Sequence, residues 1–419
     1  MDFIARNFVT ANVAGFKLDQ NDGGVVLFRD NTTFPSGTVG GEVHNVYGFQ
    51  FQKIFHDVYR SRGIRTWMQC RGNYLGGQAY GSSSYSDTYN YTKYVKGLVN
   101  AGFTGLVWAP ETRYATCDAD YARRIQLMLL GTQAQFNAWE HGDVPWKCTG
   151  IYWDTFVAHY RLRQALGPYL YTAARQQAST GVPILRPLLL DHATDARVRH
   201  LDDEFLLGSD LLVAPAGLPS ANGTTDQDGR DIYFPGRGLW YSWWEPSART
   251  AHAAPTKQRV VTPIDRAPVY IRGGAVLPTV HSKFESRQLT LIVALSKLET
   301  GVARGTLFLD DGKAVDTSAN HLSVDFMAGN RQLECRATRV GHFDEDKPVY
   351  PTTIDRVVIL GVEIGITEVL LEHLDSRGGT SGGRVIPQSN YTWDGADAVL
   401  NISAVNASVM SPFRLVWTI

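Results

Sequence analysis

Residues 13–22, with the sequence VAGFKLDQND, decide the fold that the sequence predicts. The residues before Asp19 are mostly small or apolar, which is typical of a strand that is buried on both faces. Asp19 and Asp22 follow at once. A carboxylate at the C-terminal end of a parallel strand is typical of the catalytic face of a (β/α)₈ barrel. Asp19 would equally serve as the cap of a following helix, so the local pattern leaves both interpretations open.

Strand and helix patterns alternate after this stretch. Strands are predicted at residues 64–70, 103–109 and 135–139. Helices are predicted at residues 44–62, 91–100, 117–130 and 153–179. Because the strands end in polar residues, residues 1–200 are predicted to form the C-terminal portion of a (β/α)₈ barrel, about strands four to eight.

The pattern changes after about residue 200. Short segments with strand-type alternation, separated by Gly, Pro and Asp, continue to residue 419. This predicts two small β-sandwiches in series, a proximal one at residues 201–284 and a distal one at residues 285–419. The predicted fold class is therefore α/β plus all-β.

A second carboxylate, Asp87, lies in the segment SYSDTY at residues 84–89. It also follows a predicted apolar segment, and its neighbours are hydroxyl and aromatic residues. Two carboxylates on separate strand ends suit the cleavage of a glycosidic bond. One attacks or stabilises the anomeric carbon, and the other handles the proton of the leaving oxygen.

Three segments, GFKLDQND, SYSDTY and LVWAPETR, resemble glycoside hydrolase family 31, the retaining α-glycosidases. They occur in the order that the family has them, and the resemblance covers roughly residues 1–316. It implies that Asp19 is the nucleophile and Asp87 the acid/base. It further implies substrate contacts at five positions: Arg71, Trp108, Glu111, Arg124 and Asn137. No metal or organic cofactor is implied.

The sequence departs from the family pattern at two places beside the site. The segment around Asp87 reads S-Y-S-D instead of the usual W-x-G-D. Residues 136–139 read FNAW, without the histidine that many members have, and Asn137 is the nearest counterpart. The sugar specificity of a typical α-glucosidase is therefore not implied.

The resemblance also predicts that part of a family member is missing. Members have an N-terminal β-sandwich and three barrel strands before the nucleophile strand, whereas this sequence begins at about the fourth strand. The expectation is a truncated start or a gene fragment. An open half-barrel leaves a strand edge unpaired, so the first 200 residues are expected to be weakly folded and the chain inactive.

Composition excludes several classes of protein. The formal net charge is −1, from 40 Lys plus Arg against 41 Asp plus Glu, which argues against a nucleic-acid partner. No run of apolar residues is long enough to span a membrane. The four cysteines are far apart without metal-ligand spacing, and buried free thiols are expected.

Six Asn-x-Ser/Thr sequons are compatible with a secretory or lysosomal-type route, although no signal peptide is recognised and the location stays open. They are at Asn31, Asn90, Asn222, Asn390, Asn401 and Asn406.

Three functions remain open on the sequence alone. The first is a retaining exo-α-glycosidase that hydrolyses α-linked sugars with two carboxylates. The second is an inactive, truncated relative that binds carbohydrate without cleaving it. The third is an α-transglycosylase, which uses the same carboxylates but excludes water from the second step. The expected partner in each case is an α-linked carbohydrate.

Overall fold

The structure is a computed structural model that describes the chain except for short gaps. The described residues are 1–20, 22, 28–88, 90–112, 116–137, 144–217, 229–280, 288–296, 301–344, 347–375 and 377–419. Helices and parallel strands alternate in the first part of the chain, and antiparallel strands follow. This architecture confirms the predicted partial barrel with β domains after it.

The α-helices lie in the first half of the described chain. They are α1 (Asp2–Ile4), α2 (Gly40–Arg60), α3 (Tyr91–Gly102), α4 (Ala119–Leu129), α5 (Gly150–Ala165), α6 (Gly167–Thr180) and α7 (Leu188–Asp191), with a π-helix at Ala5–Val9. Within the described ranges, no helix combines the length and apolar character that crossing a bilayer requires.

Side chains that accept backbone N–H groups start two of the helices. The Asn90 side chain accepts the Lys93 N–H at the start of α3, and Asp118 accepts the Tyr121 N–H at the start of α4. Such caps satisfy N–H groups that have no partner within the helix. Asn90 is also one of the sequons.

Four parallel strands form the first sheet. They are β1 (Gly15–Leu18), β2 (Trp67–Cys70), β3 (Ser82–Ser84) and β5 (Val107–Trp108), in the order β1-β2-β3-β5. Leu18 lies opposite Cys70, Cys70 opposite Ser84, and Ser84 opposite Trp108. Two further short strands, β4 (Asp87–Thr88) and β6 (Glu111–Thr112), pair in parallel just beyond the ends of β3 and β5.

Two predicted strands differ from the structure. The strand at residues 103–109 is reduced to β5, because Phe103 and Thr104 donate their N–H groups to Asn100 and Ala101 and so close the end of α3. Gly105 then turns the chain with a φ of 68°. The strand at residues 135–139 lies partly outside the described residues.

Helix α2 covers one face of the first sheet. Its buried face includes Phe55, Val58 and Tyr59, and these pack with Leu18 and Met68 of the strands. Burying side chains of this size contributes roughly 1.5–3 kcal/mol each. This small core fixes the strand that carries Asp19.

The second sheet is antiparallel and has six strands in the order β11-β10-β12-β9-β8-β7. The strands are β7 (Leu185–Pro187), β8 (Phe205–Leu207), β9 (Leu211–Val213), β10 (Arg230–Ser242), β11 (His252–Val260) and β12 (Val269–Arg272). Leu212, Phe234, Trp240 and Tyr270 are among the side chains buried on it.

The third sheet contains the remaining strands and a separate, large core. Its members are β13 (Ala275–Val280), β14 (Leu289–Ala294), β15 (Ala303–Leu309), β16 (His321–Gly329), β17 (Gln332–Val340), β18 (Thr353–Leu360), β19 (Glu368–Leu374), β20 (Thr380–Ile386), β21 (Tyr391–Asp394), β22 (Val399–Ile402), β23 (Ala407–Ser408) and β24 (Phe413–Thr418). The second sheet begins at Leu185 and the third at Ala275. Both positions come earlier in the chain than the domain boundaries predicted at residues 201 and 285, and those boundaries stay predictions.

The expectation of four free thiols is wrong for one pair of cysteines. Cys117 and Cys148 form a disulfide that joins the chain just before α4 to the chain just before α5, with Cα atoms 5.3 Å apart. The two cysteines are 31 residues apart in the sequence, and only the packing of α4 against α5 brings them into contact. Cys70 and Cys335 are buried free thiols, as predicted.

Candidate active site

Backbone hydrogen bonds continue beyond the ends of the parallel strands and align the residues that follow them. The N–H groups of Arg71, Tyr85, Ala109 and Glu111 donate to the carbonyls of Leu18, Cys70, Ser84 and Ser86 at 2.8–3.2 Å. Because neighbouring parallel strands end at the same edge of a sheet, this ladder brings several polar side chains together there. Asp19, Arg71, Tyr85, Asp87 and Glu111 occupy this edge.

Asp19 is anchored through one of its carboxylate oxygens. Its Oδ1 accepts a short hydrogen bond from the Tyr85 hydroxyl and another from the Gln20 N–H at 2.8 Å. The Nη1 atom of Arg71 lies 3.6 Å from the same oxygen. The Asp19 side chain is 53% exposed, so it is open to an approaching molecule.

These contacts keep Asp19 ionised. Partial burial alone would raise its pKa, but the hydrogen bonds from Tyr85 and Gln20 lower it. The positive charges of Lys17 and Arg71 act in the same direction, and the net result is a pKa below the ordinary value for aspartate. A carboxylate in this state is suited to act as a nucleophile.

Arg71 joins the two predicted catalytic carboxylates. Its Nη2 lies 3.2 Å from Oδ2 of Asp87, while Nη1 faces Asp19 and Nε lies 3.4 Å from Asp22. Burial alone would lower the pKa of Arg71, but the surrounding carboxylates raise it. One guanidinium therefore contacts Asp19 and Asp87 together, as a shared site requires.

Glu111 is buried and braced from two sides. Its side chain is 3% exposed, Oε1 lies 2.6 Å from Lys17 Nζ, and Oε2 accepts a hydrogen bond of 2.6 Å from Asn137 Nδ2. A buried carboxylate needs such partners to offset the cost of leaving water. The structure thus brings Glu111 and Asn137 together beside Asp87, which pairs with Glu111 in the β4–β6 ladder.

Trp108 points away from this edge. Its Nε1 donates to Ser86 Oγ at 3.1 Å, and its ring packs edge-on against Tyr94 of α3. An added Cβ on Gly97 would lie 2.5 Å from the indole, so the ring presses closely on this helix. Because the ring faces the helix, we leave Trp108 out of the sugar contacts proposed below.

Arg124 lies within α4 and is buried. Its Nε donates to Oδ2 of Asp120, one turn earlier on the same helix, at 2.8 Å. The contact with a sugar that the sequence predicted for Arg124 stays a prediction. Arg113, also in the WAPETR segment, lies outside the described residues.

Two residues at this edge, Lys17 and Tyr85, were not among the predicted site residues. Lys17 Nζ lies 4.4 Å from the centroid of the Tyr85 ring, within the range of a cation–π contact. The signal that could have found both is the two-residue period of strands. Lys17 precedes Asp19 by two residues and Tyr85 precedes Asp87 by two, so each pair is expected on one face.

A large cavity lies elsewhere, at the opposite ends of the parallel strands. It measures about 760 Å³ and is lined by Trp67, Ser82 and Val107 at the starts of the parallel strands, together with residues of α5 and α6. None of the aligned carboxylates lines it. We place the candidate site at the carboxyl ends of the parallel strands. Glycosidic bond cleavage needs the carboxylates there, and no Asp or Glu side chain lines the cavity. Trp67, the first residue of β2, therefore lies at the end of its strand that is away from these acids.

The acidic residues at the site surround a cation of the protein itself. Asp19, Asp22 and Asp87 all contact Arg71. Within the ranges that the structure describes, no group of three or more His, Cys, Asp or Glu side chains is arranged to hold a metal ion.

Two protein-family models and several curated proteins match parts of the chain. The model of the glycosyl hydrolases family 31 TIM-barrel domain matches residues 2–173, and that of the family 31 C-terminal domain matches residues 181–277. Neutral α-glucosidase AB of Sus scrofa is 30% identical over 356 residues, which are 78% of this chain and 36% of that protein. An α-glucosidase of Schizosaccharomyces pombe is 27% identical over 355 residues, covering 78% of this chain and 34% of that protein.

Solved structures share the fold. The family 31 dextranase of Flavobacterium johnsoniae complexed with glucose superposes with a TM-score of 0.79 at 20% identity, over 98% of this chain and 54% of that one. An α3-Glc2-bound glucosidase II α subunit gives a TM-score of 0.77 at 20% identity, over 92% of this chain and 43% of that one. The chain spans about a third of the length of the curated relatives it matches.

Proposed function

The chain belongs to glycoside hydrolase family 31, and from this membership we propose that it is a retaining exo-α-glycosidase acting on O-glycosidic bonds of α-linked sugars. The single observation that carries the proposal is the contact of one guanidinium, Arg71, with Asp19 and Asp87, which lie beyond the ends of β1 and β3 on either side of β2. The curated relatives are named as α-glucosidases, which makes α-glucosides the first substrates to test.

In the first step, Asp19 attacks the anomeric carbon of the sugar. A bond forms between its carboxylate oxygen and that carbon while the bond to the leaving oxygen breaks. Asp87 donates its proton to the leaving oxygen, and a covalent glycosyl-enzyme results.

In the second step, the ionised Asp87 takes a proton from water, whose oxygen attacks the same carbon. The ester bond to Asp19 breaks, and the anomeric configuration is retained after two inversions. Retention requires the two carboxyl groups to lie about 5–5.5 Å apart across the mouth of the site. No step in this sequence draws on a metal or an organic cofactor.

The other polar residues would surround the sugar. Arg71 lies between the two acids, and its N–H groups would reach sugar hydroxyls as well as carboxylates. The braced group of Lys17, Glu111 and Asn137 would form the adjoining wall. Arg124 is the remaining proposed contact with the substrate, and substrate binding by an Arg124 variant would test it.

Substitution of Asp19 tests the proposal. Asp19→Asn should abolish turnover of nitrophenyl α-glycosides, because an amide cannot supply the attacking oxygen anion. Added azide should restore partial activity with inverted product configuration. Asp57→Asn, which changes an exposed aspartate paired with Lys53 on α2, is the matched control and should keep wild-type rates. Unchanged turnover in the Asp19 variant would contradict the assignment.

The same assays separate the alternatives. Retention of sugar binding without turnover in the unmodified chain would favour an inactive carbohydrate-binding relative. Transfer of the sugar to an added acceptor in preference to water would favour a transglycosylase. Release of free sugar with retained configuration supports the hydrolase.

A further inference from the structure

Tyr85 links the strands that carry the two proposed catalytic acids. It follows β3 directly, its N–H donates to the Cys70 carbonyl of β2 at 3.1 Å, and its side chain is 2% exposed. Its hydroxyl reaches past β2 and donates a short hydrogen bond to Oδ1 of Asp19, which follows β1. A buried phenol on a hydrogen-bonded backbone has little freedom to move.

We propose that Tyr85 is a positioning residue that fixes Oδ1 of Asp19 and thereby makes Oδ2 the attacking oxygen. The inference rests on the proposed function, because it assigns the nucleophilic atom of that reaction. Tyr85 lies in the S-Y-S-D segment that departs from the family's W-x-G-D pattern, so this role belongs to this chain's own sequence.

The contacts of Asp19 divide its two oxygens. Among the described residues, the hydrogen bonds from Tyr85 and Gln20 and the ion pair with Arg71 all end on Oδ1. The two hydrogen-bond donors occupy the lone pairs of that oxygen, and the Arg71 charge lies 3.6 Å from it. Oδ2 therefore offers its lone pair to the anomeric carbon, and the Oδ2–carbon bond forms as the bond to the leaving oxygen breaks.

Lys17 and Glu111 hold the ring of Tyr85 in place. Lys17 Nζ lies over the ring at 4.4 Å from its centroid and is itself held 2.6 Å from Oε1 of the buried Glu111. Burial and the hydrogen bond to Asp19 raise the pKa of Tyr85 far above neutrality. The phenol thus stays a proton donor to Asp19 throughout the pH range of activity.

The test compares Tyr85→Phe with a matched control. Tyr241→Phe also removes one tyrosine hydroxyl from a fully buried ring, since Tyr241 donates to the Leu295 carbonyl at 2.8 Å in the β part of the chain. Loss of the Tyr85 donor raises the pKa of Asp19. The acidic limb of the pH profile of kcat/KM should therefore move up by about one pH unit in Tyr85→Phe, the shift that a hydrogen bond to a charged group corresponds to. The basic limb, and both limbs of Tyr241→Phe, should stay in place.

A second measurement does not need turnover. With aspartate labelled at the carboxyl carbon with ¹³C, the Asp19 resonance of the free protein is the one absent from Asp19→Asn. Its titration midpoint should rise in Tyr85→Phe. A raised midpoint in a chain without glycosidase activity would refute the proposed function while supporting the hydrogen bond from Tyr85 to Asp19.

Two outcomes would overturn the inference. One is an Asp19 midpoint and an acidic limb that are the same in Tyr85→Phe and wild type. The other outcome concerns a second variant, which is needed if Tyr85→Phe does not fold. In that variant 3-fluorotyrosine is incorporated at position 85. It keeps the shape of tyrosine and is a stronger hydrogen-bond donor, so it should shift the Asp19 midpoint downward. An unchanged Asp19 midpoint in the fluorotyrosine protein would show that the Tyr85 hydroxyl packs beside Asp19 without lowering its pKa.

Discussion

At the scale of single residues, the backbone after Asp19 is held in an uncommon conformation. Gln20 has a φ of 51°, in the left-handed region, which costs a non-glycine residue roughly 1–2 kcal/mol. In this conformation its N–H donates to Oδ1 of Asp19. Strain of this kind persists where surrounding contacts outweigh it, and it is frequent at functional sites. The conformation of Gln20 thus helps to orient the Asp19 carboxylate, the proposed nucleophile.

The role of Asp87 can be separated from that of Asp19 by the leaving group. Asp87→Ala should slow substrates with poor leaving groups by about 10²–10⁴-fold, because only these need a proton from the enzyme. Activated aryl glycosides should lose much less in their first step. Kinetics on a series of aryl α-glycosides would measure this dependence. Equal losses on all substrates would mean that Asp87 positions another group instead.

A buried carboxyl in the six-stranded sheet should make stability depend on pH. Glu204 is 1% exposed, and burial raises its pKa to about 8, although Arg230 and the Tyr233 N–H oppose the shift. A folded-state pKa above the unfolded value of 4.5 means that Glu204 contributes stability below about pH 4.5. This contribution is lost as the pH rises to about 8.

Glu204→Gln removes this titration. The variant should gain stability relative to wild type at pH 8, by an amount on the order of a few kcal/mol, and gain little at pH 5. Thermal unfolding at the two pH values would measure the difference, with Glu368→Gln on an exposed strand position as the control. If Glu204→Gln changed the stability by the same amount at both pH values, the prediction that the buried Glu204 carboxyl has a raised pKa would be refuted.

At the scale of elements, helix α3 packs closely on strand β5 because Gly97 of the helix faces the Trp108 ring of the strand. Gly97→Ala would place a methyl group 2.5 Å from the Trp108 ring. Helix propensity favours alanine over glycine at this position, but the close contact with the ring opposes the added methyl group. We expect a net loss of about 1–3 kcal/mol in the free energy of unfolding, as overpacking usually costs. Gly41→Ala, in the first turn of α2 with its nearest neighbour at 3.7 Å, is the control and should be tolerated. Chemical denaturation of both variants would decide, and equal stability would show that Trp108 can move aside.

At the scale of the whole molecule, a polar cluster around a buried aspartate joins the first sheet to the β part. Asp310, before β16 and 2% exposed, accepts a hydrogen bond of 2.6 Å from Tyr171 of α6 and is paired closely with Arg65, just before β2. Arg65 also donates to the Tyr171 hydroxyl at 2.7 Å. Such buried, mutually satisfied polar groups are costly to separate. They connect the site's scaffold to the third sheet.

Limited proteolysis should cut the two parts of the molecule at different rates. In the described residues, β1 pairs only with β2 and exposes most of its length, whereas the third sheet surrounds a continuous core. We expect cleavage first within residues 1–200 and persistence of a C-terminal fragment, because local opening is easier where few apolar contacts are lost. Mass spectrometry of the fragments would identify the cuts. Equal resistance of both parts would show that they unfold as one unit.

The sequence by itself determined the features that depend on local pattern. Runs of apolar residues that end in polar ones predicted strands with Asp19 and Asp87 at their ends, and the family resemblance added Arg71 and Glu111 to the same site. The order of the motifs predicted the family, which the matches at residues 2–173 and 181–277 confirm. These features are encoded within a few residues, because strand period and strand termination are properties of short segments.

Only the tertiary structure decided which side chains touch. Tyr85 and Asp19 are 66 residues apart, Lys17 and Glu111 are 94 apart, and the disulfide closes a separation of 31. The tertiary structure also turned Trp108 toward α3 and placed Trp67 at the far end of its strand. Contacts of this kind follow from the register between strands and the packing of helices on them, and neither is written in the residues near any one of the partners.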